Sequence, residues 1–292
     1  MTLHVFGSIN IDHVYAVPHA PEAGETLAAA GYEAFLGGKG ANQAIAAARA
    51  GAPVRLAGAV GPGAEGALAE LAGAGVNTEG VAQMAAPTGH AVIYVEPSGE
   101  NRIVIFGGAN RALTPAVLEA ALAAARPGDW WLTQNETALV AESMAAARAK
   151  GLRTAHAAAP FDPEACAAVL PHTDLLAVNE GEAAALARHL DTVPEALPVP
   201  MTLVTRGGEG ATWRDAAGTQ TVPAFAVAAV DTTGAGDCFL GTLLAGLDTG
   251  LATGDALRRA AAAAAITVTR PGAASAIPNR AAVDAFLAAQ PA

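Results

Sequence analysis

Short apolar runs alternating with alanine-rich stretches of helical length set the tightest limit on how this chain can fold. The runs Leu3–Ile9, Val54–Val60, Trp130–Leu132, Leu175–Val178 and Leu203–Thr205 read as buried strands. Helical stretches lie between them at Ala41–Ala50, Val117–Ala125, Leu139–Lys150 and Glu180–His189. Strands separated by helices join as crossovers, so the pattern predicts an α/β protein of three layers, with a mostly parallel central sheet covered on both faces.

Two regions break this rhythm. About Val14 to Phe35, and again residues 90–106, read as extended chain with turns. His90–Val95 and Arg102–Phe106 flank the turn Pro97-Ser98-Gly99-Glu100 and predict a hairpin. The two regions are expected to pair as a small sheet outside the main one, a lid on a single domain spanning 1–292; surface decoration is the plain alternative.

Composition narrows the function class. Hydrophobic residues make up 52% of the chain, enough for a sizeable core, yet no apolar run reaches the length of a bilayer span. Met1 leads straight into the first apolar run, with no basic leader, and Cys166 and Cys238 are too far apart in sequence to form a metal motif or disulfide framework. A reducing cytoplasm fits best. The net charge of −11, with Lys39 and Lys150 the only lysines, argues against a nucleic-acid partner.

Asp231-Thr232-Thr233-Gly234-Ala235-Gly236-Asp237 precedes the helical pattern Cys238–Leu247 and is the most informative segment. Glycines there allow a sharp turn, and a helix start aims unpaired N–H groups at whatever lies above it. Gly234, Ala235 and Gly236 could hold a phosphoryl anion, and Asp237 could take a proton from an attacking hydroxyl. A capped helix after a glycine turn is the plain alternative. Gly37-Gly38-Lys39-Gly40-Ala41-Asn42-Gln43 also opens a helix, but it is not a phosphate-binding P-loop, because Glu33 and Gly40 stand where that motif needs Gly and Ser or Thr. It is expected to shape a pocket for a hydroxylated ligand, with Lys39 and Asn42 as polar contacts; a tight strand-to-helix connection is the plain alternative.

Asn10 and Asp12 close the first apolar run and offer donor and acceptor groups suited to paired hydroxyls, or else an Asx turn. Asn179 and Glu182 open a helix where a carboxylate could hold Mg²⁺ through water, although the same spacing makes a capping box. Thr205-Arg206-Gly207-Gly208-Glu209-Gly210 is a glycine-rich turn suited to lying under a nucleotide.

In this order and spacing, the segments resemble the ribokinase family of carbohydrate kinases, often named PfkB, with its ribokinase branch nearest. The resemblance runs from Gly7 to about Pro278, and Gly37–Gln43 and Asp231–Asp237 resemble the family's two signature regions. It implies ATP and Mg²⁺, a small sugar as acceptor, Asp237 as base and Gly234–Gly236 as anion hole. It further implies sugar contacts at Asn10, Asp12, Gly38, Lys39, Asn42 and Glu136, with Asn179 and Glu182 governing Mg²⁺ and phosphate. Thr205–Gly210 matches a nucleotide loop, and the lid matches one that in such enzymes often forms a homodimer contact. Asp231, Thr233, Thr267, Arg270 and Gly272 fall on positions that bind a monovalent cation, typically K⁺.

Two departures from the family pattern stand out. Ala276 replaces the usual Ser, which puts cation activation in question. His156-Ala157-Ala158-Ala159-Pro160 lacks the usual phosphate-binding Asn; His156 is expected either to substitute or to pack near the surface at a strand end. Ribose is the expected acceptor. The competing readings are a kinase of the same fold acting on a nucleoside, fructose or a keto-sugar acid, and a sugar- or nucleotide-binding sensor without catalysis.

Overall fold

The computed structural model describes residues 1–290. In chain order its first half contains β1 (Leu3–Phe6), β2 (Asn10–Ala16), β3 (Gly31–Gly37), α1 (Lys39–Arg49), β4 (Val54–Val60), α2 (Glu65–Gly73), β5 (Val76–Gln83), β6 (Gly89–Val95), β7 (Asn101–Phe106) and α3 (Pro115–Ala124). There follow β8 (Trp130–Gln134), α4 (Val140–Ala149), β9 (Arg153–Ala157), α5 (Pro163–Val169), β10 (Leu175–Asn179), α6 (Glu180–His189), β11 (Met201–Thr205), β12 (Ala211–Asp215), β13 (Gly218–Val222), α7 (Ala235–Asp248), α8 (Thr253–Thr267) and α9 (Arg280–Ala288).

Nine strands form the central sheet in the order β13-β12-β11-β10-β9-β8-β1-β4-β5. The pairs from β11 through β5 are parallel, while β12 and β13 add an antiparallel edge. Alternate residues of each strand feed opposite layers, as a doubly covered sheet requires. Leu3, Val5, Trp130 and Leu132 pack with Ile45 of α1 and Leu243 of α7, whereas Phe6 and Trp131 turn the other way, towards Met144 of α4.

A second, four-stranded sheet has the order β3-β2-β6-β7. The hairpin expected at residues 90–106 is β6–β7, and the expected pairing of the two irregular regions is the parallel register of β2 on β6. The boundary between the sheets corrects one expectation. The run Leu3–Ile9 is not a single strand, because β1 ends at Phe6 and three residues lead into β2. Asn10 and Asp12 therefore belong to the second sheet, not to the edge of the first. β9, β5, β12 and β13 were not legible in the apolar pattern: β9 carries the buried polar residues Thr154 and His156, and the others lie towards the edges of the sheet. Among the described residues, no helix is long and apolar enough to cross a membrane.

The helices α1 and α7 meet so closely that Gly241 leaves no room for a side chain. A Cβ there would overlap the Gln43 carbonyl oxygen and fall 2.7 Å from Ala46 Cβ. Gly241→Ala is expected to destabilise the protein by about 1–3 kcal/mol, the usual penalty for overfilling a packed contact. Denaturant unfolding checks it: an unchanged midpoint would mean that the two helices are not held at this distance.

Candidate active site

The site assembles where the first turns of α1 and α7 meet the carboxyl ends of β8 to β11. Gly234 caps α7 in the left-handed region at φ 74°, where a glycine carries no steric penalty. No side chain caps this helix, so Asp237 is not serving as a cap. Its carboxylate is buried and reaches across to α1 instead, where Oδ1 accepts from Gln43 Nε2 at 2.8 Å and Oδ2 from Asn42 Nδ2 at 3.2 Å. The N–H of Ala235 is already directed at the Thr232 carbonyl at 3.3 Å, so of the three residues expected to form the anion hole it has the least to offer.

Asp237 lines a cleft of about 260 Å³ together with Lys39, Gln43, Asn179, Glu182, Thr205, Thr232, Gly234 and Gly236. The Lys39 ammonium is held above its ordinary range, first by the charge of Asp237 and then by those of Glu136 and Glu182, against the opposing effect of its own burial. Thr205, Thr232 and Gly236 are shared with a second, larger cavity of about 450 Å³. Its walls are largely apolar, including Phe225, Val227, Phe239, Ala264 and Val268, and Gly207, Gly208 and Gly210 form its rim. Arg206 and Glu209 of the same loop lie outside that lining, and Arg206 faces Glu180 at 3.8 Å.

Asn10, Asp12, Gly38 and Glu136 form a third group beside Lys39. Glu136 accepts from the Lys39 backbone N–H at 3.1 Å and from the Ser8 hydroxyl. Asp12 packs over Gly37, and burial followed by the charge of Glu136 pushes its carboxyl up to about 6. Asn10 is buried and its Oδ1 accepts from Asn110 Nδ2 at 2.8 Å, while Asn110 also bonds the backbone N–H and carbonyl of Ile9. Sequence reasoning missed Ser8, Asn110, Gln43 and Gln134 as site residues. Gln43 does lie inside a segment already singled out, but a buried asparagine such as Asn110 leaves no local signal.

Asn179 and Glu182 form a true capping box: Glu182 N–H donates to Asn179 Oδ1 and Asn179 N–H to Glu182 Oε2, both at 2.8 Å. Both residues still line the cleft. Asp231 accepts from Thr233 N–H and Gly272 N–H, each at 2.9 Å. Burial would raise its carboxyl, but these hydrogen bonds outweigh that and hold it below the usual range. Thr267 is turned inward, its hydroxyl donating to the Ala263 carbonyl, and its own carbonyl accepts from Arg270 N–H at 3.2 Å. Among the described residues, no group of three or more His, Cys, Asp and Glu side chains could hold a metal ion.

His156 does not lie near the surface as expected. It is fully buried in β9, bonded through Nδ1 to the Thr133 hydroxyl at 2.9 Å, and burial pushes it down to about 4. Ala157 and Ala159, not His156, face the cleft at this strand end. The histidine therefore cannot stand in for a phosphate-binding asparagine.

An α/β scaffold with a polar cleft beside an apolar cavity suits many chemistries, and the comparisons with known proteins identify the class as carbohydrate kinase. A family model described as "pfkB family carbohydrate kinase" matches residues 2–280, and the chain belongs to that family. It is similar to ribokinase from Haemophilus influenzae, at 36% identity over 294 residues and 96% of each chain. Among solved structures it resembles ribokinase from Cryptococcus neoformans var. grubii serotype A in complex with ADP, with a TM-score of 0.86, 31% identity and coverage of 97% of this chain and 99% of the other. It also resembles Arabidopsis thaliana ribokinase complexed with ribose and ATP, with a TM-score of 0.85, 29% identity and 98% coverage of both chains.

The position of Asp12 gives a pH-dependent expectation. A carboxyl raised in the folded state adds stability below its ordinary value of 3.8, and that stability is lost as pH rises through about 6. Asp12→Asn should therefore raise the thermal midpoint above about pH 6 and leave it unchanged below about pH 4. Melting curves across that range test this, and an equal shift at every pH would rule out the ionisation of Asp12 as the cause.

Proposed function

We propose that the protein transfers the γ-phosphoryl group of ATP to the primary hydroxyl of ribose, giving ribose 5-phosphate, with Asp237 as general base. The observation that carries this reading is the Asp237 carboxylate, set at the start of α7 on a cleft shared with Lys39 and open to an apolar cavity. The apolar cavity suits a purine ring, and the shared rim at Thr205, Thr232 and Gly236 then leads the phosphates towards Asp237. The group around Asn10, Asp12, Gly38, Lys39, Asn42 and Glu136 offers the sugar both donors and carboxylate acceptors. The acceptor hydroxyl gives its proton to Asp237 as its oxygen bonds to the γ-phosphorus and the bond to the departing ADP breaks. The N–H groups of Gly234 and Gly236, joined by that of Asp237 itself, are the anion-hole donors left at the uncapped helix start, and Lys39 adds positive charge beside them.

Glu182 fits a role in holding Mg²⁺, which typically takes one or two carboxylates together with waters and phosphate oxygens. The ion would neutralise charge between the β- and γ-phosphates. A role for K⁺ rests on the segment Asp231–Thr233 being hydrogen-bonded to the loop that carries Gly272, which holds these expected ligand positions together. Closure of the second sheet over the sugar would exclude water as a competing acceptor. The two cysteines are free and buried, in keeping with a cytoplasmic setting.

The test is ADP release over ribose, 2-deoxyribose, hexoses, keto-sugar acids and nucleosides, with and without K⁺. Ribose is expected to give the highest kcat/KM, and preference for another acceptor would replace it. Asp237→Asn should lower kcat by about 10² or more with folding intact, the scale of general-base catalysis. Near-normal turnover in that variant would remove Asp237 as the base.

The second sheet also supports self-association with a second copy. On the outer strand β7, Ile103, Val104, Ile105 and Phe106 are all more than half exposed, an apolar edge that soluble proteins normally cover. Light scattering should find a dimer that Ile103→Lys converts to monomer. A monomeric wild-type protein at micromolar concentration would overturn this.

A further inference from the structure

The hydrogen bonds behind Asp237 extend well beyond its contact with α1. Gln43 Nε2 donates to Asp237 Oδ1 at 2.8 Å, and Gln43 Oε1 accepts from Gln134 Nε2 at 2.7 Å. The three side chains come from α7, α1 and β8, and all are buried. Their polarity follows from the first member. An ionised carboxylate only accepts, so Gln43 must turn its NH₂ group towards it and its carbonyl away, and Gln134 must then present its own NH₂ group. The chain ends at Gln134 Oε1, which is buried without a donor and fills the space that a side chain at Gly7 would need. An unpaired buried carbonyl is unfavourable. It is the remainder left by a chain of amides whose direction an anion sets.

Resting on the assignment of Asp237 as base, we propose that Gln43, with Gln134 behind it, is the positioning pair that fixes which carboxylate oxygen reacts. Gln43 saturates Oδ1 at 2.8 Å, whereas Oδ2 has only the longer 3.2 Å bond from Asn42. Oδ2 is the oxygen that takes the acceptor's proton, and Asn42 is the group that yields to the incoming hydroxyl. Neither glutamine touches the reacting atoms; both act by holding the carboxylate in one rotamer and one charge state. The ionisable groups that face Asp237 are Lys39 from α1, Glu182 from α6 across the shared cleft and the buried Cys238 of α7, and none of them is altered when the glutamines are changed.

Gln43→Leu and Gln134→Leu keep most of the bulk and remove the amides. At saturating sugar and ATP, Gln43→Leu is expected to lower kcat roughly tenfold to a hundredfold, the worth of one hydrogen bond to a charged group, with KM for ATP unchanged. The low-pH limb of its kcat profile should lie at higher pH, because the carboxylate has lost a donor. Asp12→Asn measured alone shows how much of the limb that carboxyl contributes. Gln134→Leu should move both quantities the same way by less, and the double variant no further than Gln43→Leu, as for groups acting in series. A lowered melting point with an unmoved limb would mean the glutamines only pack, and would overturn the proposal. Should Gln43→Leu fail to fold, Gln134→Leu carries the same test. Asp237→Asn measured alongside separates the two readings. Retained turnover there removes the base itself, whereas loss there with an unmoved limb in the leucine variants removes only the positioning pair.

Discussion

The contact between α1 and α7 governs the rest of the site. Gly241 lets the two helices approach until the α1 backbone nearly touches α7, and Asn42 and Gln43 come within hydrogen-bonding distance of Asp237 as a result. A buried carboxylate without partners would cost several kcal/mol. Two amides and the nearby Lys39 ammonium offset that penalty, so the same geometry that makes the carboxylate tolerable also orients it. Widening the helix pair by one methyl group would weaken both effects together, which ties packing to chemistry through a single glycine.

The cleft and the cavity divide labour by polarity. Charged and hydrogen-bonding groups crowd the part lined by Lys39, Glu182 and Asp237, while alanine, valine and phenylalanine side chains dominate the larger cavity. With few polar groups of its own, the apolar cavity would, on the proposed assignment, hold a flat ring system by area and shape. The polar part cannot discriminate that way. On the proposed assignment it selects by pairing each hydroxyl with a donor or acceptor whose orientation is already set, as Asn110 sets that of Asn10.

Much of this was legible in the sequence because continuous apolar runs and glycine turns are local signals. Val54–Val60 and Glu180–His189 have the ends the pattern implied, and Asp237, Lys39 and Glu182 do share one cleft. What local signals could not give was direction. Nothing near Asp237 in sequence tells whether it caps its own helix or reaches to another, since its partners lie 194 and 195 positions away. The same holds for Asn110, which touches Asn10 across 100 positions. His156 was misread for a different reason. Its polarity suggested a surface, but a histidine that satisfies one nitrogen with Thr133 and keeps a low charge-state preference can sit inside a sheet. The strand β1 was read too long because Ile9 continues the apolar run, although its backbone is held by Asn110 instead of a neighbouring strand of the main sheet.

On the proposed assignment, the short passage between the two sheets would also couple sugar binding to the second sheet. Only Gly7, Ser8 and Ile9 separate β1 from β2, and Ser8 already donates to Glu136 while Ile9 is fastened by Asn110. At the far end of that passage Asp12 is desolvated and repelled by Glu136. The two carboxylates therefore favour separation until something donates to both. A hydroxylated ligand between them would turn repulsion into two hydrogen bonds, and it would bind most tightly to the arrangement in which β2 lies nearest Glu136. The desolvation of Asp12 is thus a reason for the second sheet to follow the ligand, because Glu136 already accepts from Ser8 and Lys39 while Asp12 accepts from none of the described residues.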